Sequence, residues 1–148
     1  MVKYSQDEFI PKNPQKLIGN PRPFYRSSWE LTVMNLLDQH PNVINWASES
    51  VAIPYKNPLT GKMHQYFPDF LIIYKDKHGK KRAELVEVKP SKEAIAENAK
   101  SKRDKAALLV NTAKWAAALR WCKENGFTFR ILTENDLYIR KGKQLKKK

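Results

Sequence analysis

The chain has 148 residues, 41% of them hydrophobic, with 4 Trp, 6 Tyr and 6 Phe, which predicts one domain with a real core and excludes both a disordered chain and a second full-size domain. Its formal charge of +13, from 28 Lys+Arg against 15 Asp+Glu, asks for a polyanionic partner. No apolar run approaches the roughly 20 residues that span a bilayer, and a single cysteine, Cys122, with three histidines excludes an internal disulfide and a structural zinc site.

Residues 1–28 hold Pro11, Pro14, Gly19, Pro21 and Pro23 among Lys12, Lys16, Arg22 and Arg26, and read as an extended basic arm that is either disordered or docked across a surface. The opening MVKYSQDEF has no signal-like apolar stretch, so a soluble cytoplasmic protein is expected. Ser27 or Ser28 makes a good N-cap. Trp29, Val33, Met34, Leu36 and Leu37 then follow at helical spacing until His40-Pro41, which predicts a helix over 28–39. WASESVAIP (46–54) alternates like a strand, NPLTGK is a turn, and QYFPDFLIIY reads as a second strand. After a turn at Asp76–Gly79 the segment RAELVEVK returns as a third strand, closing a hairpin. Residues 91–126 are helix formers, with a firm helix over 104–125, Gly126 as its C-cap, and FTFRILTE as the last strand. The order α-β-β-β-α-β predicts one α/β domain over 29–139, followed by the basic tail RKGKQLKKK at 140–148. Without that tail the charge is still +7. No segment reads as a basic amphipathic helix, which favours nucleic acid over a membrane surface, with arm and tail expected to contribute phosphate contacts.

Three acids sit against the usual rules. Opposed residues in a hairpin have numbers of constant sum, about 156 for a turn centred on His78, so Asp69 lies opposite Glu87. Like charges placed so repel, and a bound cation would remove the penalty. Lys89 shares a face with Glu87, and Leu71, Ile73, Ala83 and Leu85 continue that face into the core. Glu30 precedes Met34 and Leu37 by four and seven residues, which puts it on the apolar stripe of the first helix. Each feature has a bland reading: E-x-K on a strand is ordinarily a solvated face, Pro-Asp starts turns, and Glu30 is a first-turn acid favoured by the helix dipole. Together they suit a hard divalent ion with oxygen ligands.

Glu30, Pro68-Asp69 and Glu87-Val88-Lys89, in this order on an α-β-β-β-α-β frame, resemble the PD-(D/E)xK nuclease superfamily. The SSWE helix start, FPDF, VEVKP and the late KW-containing helix before FRILTE are similar to the TnsA-type endonucleases. YSQDEFIPKNPQK with RSSWE extends the likeness to the head-completion nucleases of T4-like tailed phages. The resemblance implies a single restriction-endonuclease-like α/β domain with a mixed central sheet. It implies a DNA endonuclease of phage head completion or DNA packaging, working in the host cytoplasm or with the virion, with DNA and phage head or portal proteins as partners. It also implies Mg²⁺ (Mn²⁺ as substitute) ligated by Asp69, Glu87 and the main-chain carbonyl of Val88, with Glu30 completing the shell or holding a second ion. Lys89 would orient the attacking water or stabilise developing charge, its ordinary alternative being to neutralise Glu87. The competing function class is a non-catalytic DNA-binding or head-assembly protein on the same fold, against which the intact acids count.

Other candidates are weaker. Trp115, Leu119 and Cys122 follow core spacing on the long helix, Trp121 reads as core, and Lys114 could reach a phosphate. His64 could approach Asp69 from the preceding strand. Tyr66 shares its parity with Phe70 rather than Asp69, so it receives no catalytic role.

Overall fold

The computed structural model describes residues 7–95 and 98–137, so the basic tail over 140–148 lies outside the described residues. The first element among the described residues of the arm is β1 (Asp7–Glu8), paired antiparallel with β2 (Phe24–Tyr25). Of the two fates open to it, docking is what its described residues do. Phe9 is buried in the core, its ring 5.7 Å from that of Trp46. The reason is one buried acid: Asp38, 0% exposed, accepts hydrogen bonds from Lys12 N (2.9 Å) and Asn13 N (3.0 Å). Backbone donors thus satisfy a carboxylate that could not be buried alone.

Ser27 caps α1 (Ser28–Gln39) by accepting from Glu30 N at 3.1 Å, and Pro41 stops it. Val33, Met34 and Leu37 are buried, whereas Leu36, expected with them, is 44% exposed because it lies off the inward stripe. The expected strand over 46–54 is in fact two pieces, β3 (Val43–Ser48) and β4 (Ile53–Lys56). They are separated at Glu49, whose φ of 49° no strand residue adopts. QYFPDFLIIY is likewise two strands, β5 (Met63–Tyr66) and β6 (Phe70–Lys75). Pro68 between them has no N–H to give a ladder. β4 and β5 form their own two-stranded ribbon.

β6 turns at Asp76–Gly79 into β7 (Lys81–Val88), with Phe70 opposite Val86 and Lys75 opposite Lys81, the register expected. Next come α2 (Ser91–Ala94) and α3 (Lys102–Asn125), the latter starting two residues before the expected 104 because Ser101 caps it through Asp104 N at 3.0 Å. Gly126, at φ 77°, closes α3 in the left-handed conformation that favours glycine. β8 (Thr128–Leu132) then pairs parallel with β7, the usual outcome of a strand-helix-strand crossover, and α4 (Glu134–Leu137) follows. The central sheet, in order β3-β6-β7-β8, is mixed. Its core frame, α1-β3-β6-β7-α3-β8, has the predicted order. One face packs on α1 and the arm through Trp46, Phe70 and Val86; the other packs on α3 and the ribbon through Leu85, Trp115 and Ala118.

The hairpin turn is fixed by Asp76, whose carboxylate accepts from His78 N (2.8 Å), Lys80 N (2.9 Å) and Arg82 Nε (2.9 Å). Arg82 first, then the Lys80 N–H, hold this carboxyl down at about 2, against an ordinary 3.8. A carboxyl depressed on folding adds stability above its unfolded pKa and loses it as pH falls through the folded one. Asp76→Ala is expected to lower the melting temperature by a constant amount above about pH 5. The gap from the native protein should close between pH 4 and pH 2; a gap that is flat across that window contradicts the turn's dependence on the charge.

Candidate active site

Asp69 stands one residue before β6 and Glu87 one before the end of β7, so the hairpin register carries them to the same edge of the sheet. Each acid is held by the other's strand. Asp69 Oδ2 accepts from Val88 N at 2.8 Å, and Glu87 Oε1 accepts from Asp69 N at 3.3 Å. Glu87 Oε1 also accepts from the Tyr66 hydroxyl at 2.8 Å. Glu87 is 5% exposed and Asp69 half-buried. Lys89 Nζ lies 3.7 Å from Glu87 Oε2 and 4.0 Å from Glu93 Oε1, a loose pairing with both. Beside this group a groove is lined by Ser27, Ser28, Trp29, Val88, Lys89 and Pro90. The larger concavity of the molecule, around Tyr74, Glu84 and Arg130, lies at the far end of β6 and contains none of the site acids.

Two acids this close and this dry resist sharing two charges. Burial, then the Glu87 carboxylate, push the Asp69 carboxyl up to about 8, against the Val88 N–H and Lys89, which favour its charged form. Burial raises Glu87 as well, opposed by Lys89, the Tyr66 hydroxyl, the Asp69 N–H and Lys114. Burial and the Glu87 charge raise the Tyr66 phenol, so it stays a hydrogen-bond donor. Among the described residues no three acidic, histidine or cysteine side chains close into a metal cage. What Asp69 and Glu87 offer is a pair of hard carboxylate oxygens, the donor chemistry of Mg²⁺ with water filling the other positions.

The family model described as "TnsA-like endonuclease N terminal" matches residues 40–134, a span that contains Asp69, Glu87, Lys89 and the whole central sheet. The chain belongs to this family. It is also 38% identical over 141 residues to the "Head completion nuclease" of Enterobacteria phage T4, covering 88% of this chain and 91% of that protein.

Of the residues matching the family pattern, Asp69, Glu87 and Lys89 come together as the register requires, and Val88 joins them through its N–H. Glu30 is differently engaged. Its Oε1 accepts from Arg26 N at 2.8 Å while its own N–H bonds Ser27, so it belongs to the start of α1. It is still near enough to raise Asp69. His64 is exposed, its ring 6.0 Å from Tyr55. Trp115 and Cys122 are core, but Leu119 is 56% exposed, and Trp121 is half-buried against Phe127 at 5.2 Å.

Tyr66 is the residue that sequence reasoning missed. The parity argument took Tyr66 and Phe70 as one strand; the break at Pro68 resets the alternation and turns the phenol onto Glu87. Pro68 inside the run was the available signal. Glu49 and Arg26 were also missed. Glu49 N donates to the Asp69 carbonyl at 3.0 Å, and its carboxylate holds Arg26 Nη1 at 2.6 Å, so the two brace the Asp69 turn. Nothing in the linear sequence marks them.

A carboxyl raised on folding gives stability that is complete below its unfolded pKa and is lost as pH rises through the folded one. In chelator, Asp69→Asn, which keeps the shape and removes the charge, is therefore expected to melt with the native protein near pH 4 and above it at pH 8. Melting curves across that range check this, and a substituted protein that melts lower at pH 8 contradicts the crowding of the two charges.

Proposed function

We propose that the protein is a divalent-metal-dependent DNA endonuclease that hydrolyses phosphodiester bonds in the completion of phage heads. The observation that carries this reading is the pairing of Asp69 and Glu87 beside Lys89 at one sheet edge, in a chain of the TnsA-like endonuclease family. The T4 relative is a head completion nuclease, and with that setting goes our reading of DNA as substrate and phage head or portal proteins as partners in the host cell. Among the described residues no helix is long and apolar enough to cross a membrane.

Asp69 and Glu87 would hold the ion, with the Val88 carbonyl as a further ligand and Glu30, which also accepts from Arg26 N, completing the shell or holding a second ion. Mg²⁺, or Mn²⁺ in its place, supplies an acidified water and neutralises charge on the phosphate when bound. The rest falls to the chain. The Tyr66 hydroxyl and Asp69 N–H fix the Glu87 carboxylate through Oε1, leaving Oε2 toward Lys89. The Lys89 ammonium, beside Glu87 and Glu93, orients the attacking water or meets the charge that develops on the phosphate. The basic surface attracts the DNA backbone without reading its bases.

Plasmid DNA incubated with the full chain in Mg²⁺ should be nicked or cut, and EDTA should abolish this. Asp69→Ala, Glu87→Ala and Lys89→Ala should each lose about 100-fold or more in rate. Tyr66→Phe should need about 10- to 100-fold more Mg²⁺ for the same rate, since it frees Glu87 to turn. Cutting that persists in EDTA would sink the metal-dependent mechanism; DNA binding without any cutting would sink the enzyme reading and leave a DNA-binding assembly protein in its place.

A further inference from the structure

α3 carries one cation on the wrong side. Its inward face is set by Asn111, Trp115, Ala118 and Cys122, all buried. Lys114 lies one turn before Ala117 and Ala118, so it faces the sheet rather than solvent and is half-buried. An apolar residue could stand there at no cost, whereas a buried ammonium loses hydration.

The ammonium is held in place by rings. Tyr55 and Tyr66 share one face of the β4–β5 ribbon, and Lys114 Nζ lies 5.8 Å from the centre of the first and 5.6 Å from the second. Both distances are within cation–π range. Tyr66 is the residue whose hydroxyl holds Glu87, so a single ring stands between Lys114 and that acid. Yet among the described residues it has no carboxylate oxygen within 4.0 Å, whereas Lys89 has Glu87 and Glu93. Burial and the charge of Lys89 hold the Lys114 ammonium below the usual lysine range, while Glu87, Asp69 and Glu93 act the other way. Two ammoniums near each other repel, and a further anion between them relieves that repulsion.

We propose that Lys114 is a phosphate-binding residue of this site, its ammonium seated over Tyr55 and Tyr66 and meeting a non-bridging oxygen of the DNA backbone beside Asp69, Glu87 and Lys89. The proposal rests on the nuclease reading and assigns the anion to an inward cation that, among the described residues, the site's acids leave without an ion pair. Lys89 has Glu87 and Glu93 as loose partners; Lys114 is positioned by aromatic faces, which orient a cation without neutralising it.

The test is DNA affinity of the metal-free full chain for a short duplex at stepped salt concentrations, read beside steady-state cleavage in Mg²⁺. Lys114→Met should flatten the slope of log affinity against log salt by about 0.9, the value of one phosphate contact. At saturating DNA its kcat should fall on the order of 100-fold. Lys114→Arg keeps the charge and should retain the native slope. A role in packing alone predicts the reverse, since the longer, planar side chain fits worse than Met. If Lys114→Met melts below the assay temperature, Lys114→Gln takes its place, with the same slope expected. A native slope in the uncharged variant overturns the proposal whether or not DNA is cut. A native protein that binds DNA but does not cut it in Mg²⁺ overturns the nuclease reading instead, and the slope still decides the Lys114 contact.

Discussion

The antiparallel pairing of Phe70–Lys75 with Lys81–Val88 is the constraint from which the site follows. One step beyond Phe70 and Val86, the same register sets Asp69 against Glu87. Because strand side chains alternate, a slip of one residue would send Glu87 to the α1 face and separate the acids. The register is held from three directions. Asp76 locks the turn, β3 pairs with the outer side of β6, and β8 pairs in parallel with β7. The two cores press on opposite faces of the sheet, so any slip would also expose Leu85 or bury Glu84 in the wrong layer.

Chemistry then sits where the ladder stops. Beyond the last backbone pair, the Asp69 carboxylate takes the Val88 N–H and the Glu87 carboxylate takes the Asp69 N–H, so side chains replace the missing rungs. These bonds hold both acids in place without satisfying them: each carboxylate keeps an oxygen that its strand partner does not use. Burial makes that arrangement costly, and relief of that cost is what would give a divalent ion a hold on the folded state. The same edge is open along the groove at Ser27–Trp29 and Val88–Pro90, a shape suited to a polymer running across the surface rather than to a small molecule enclosed in a cavity.

Local signals explain what was legible beforehand. Ser27, Gly126 and the Asp76 turn are punctuation with a mechanism, so α1, the end of α3 and the hairpin stand near where they were expected. Since the hairpin fixes the register, the pairing of Asp69 with Glu87 was legible too. Reading failed where tertiary structure bends the chain: at Glu49, whose left-handed backbone is held by Asp69 and Arg26, and at Pro68, which turns Tyr66 inward. The docking of the arm was equally hidden, because Asp38 satisfies it from a helix 25 residues away from Asn13. Glu30 reads in sequence as an acid out of place, whereas in the fold it closes a cap with Ser27 and Arg26.

The central claim is that Asp69 and Glu87 are one metal site made by one register. Calorimetric titration of Mg²⁺ into the full chain, native and with Asp69→Asn or Glu87→Gln, tests it without any DNA. The account predicts saturable binding by the native protein and binding at least about tenfold weaker in each variant, both of which should stay folded. Native-like binding by either variant contradicts it.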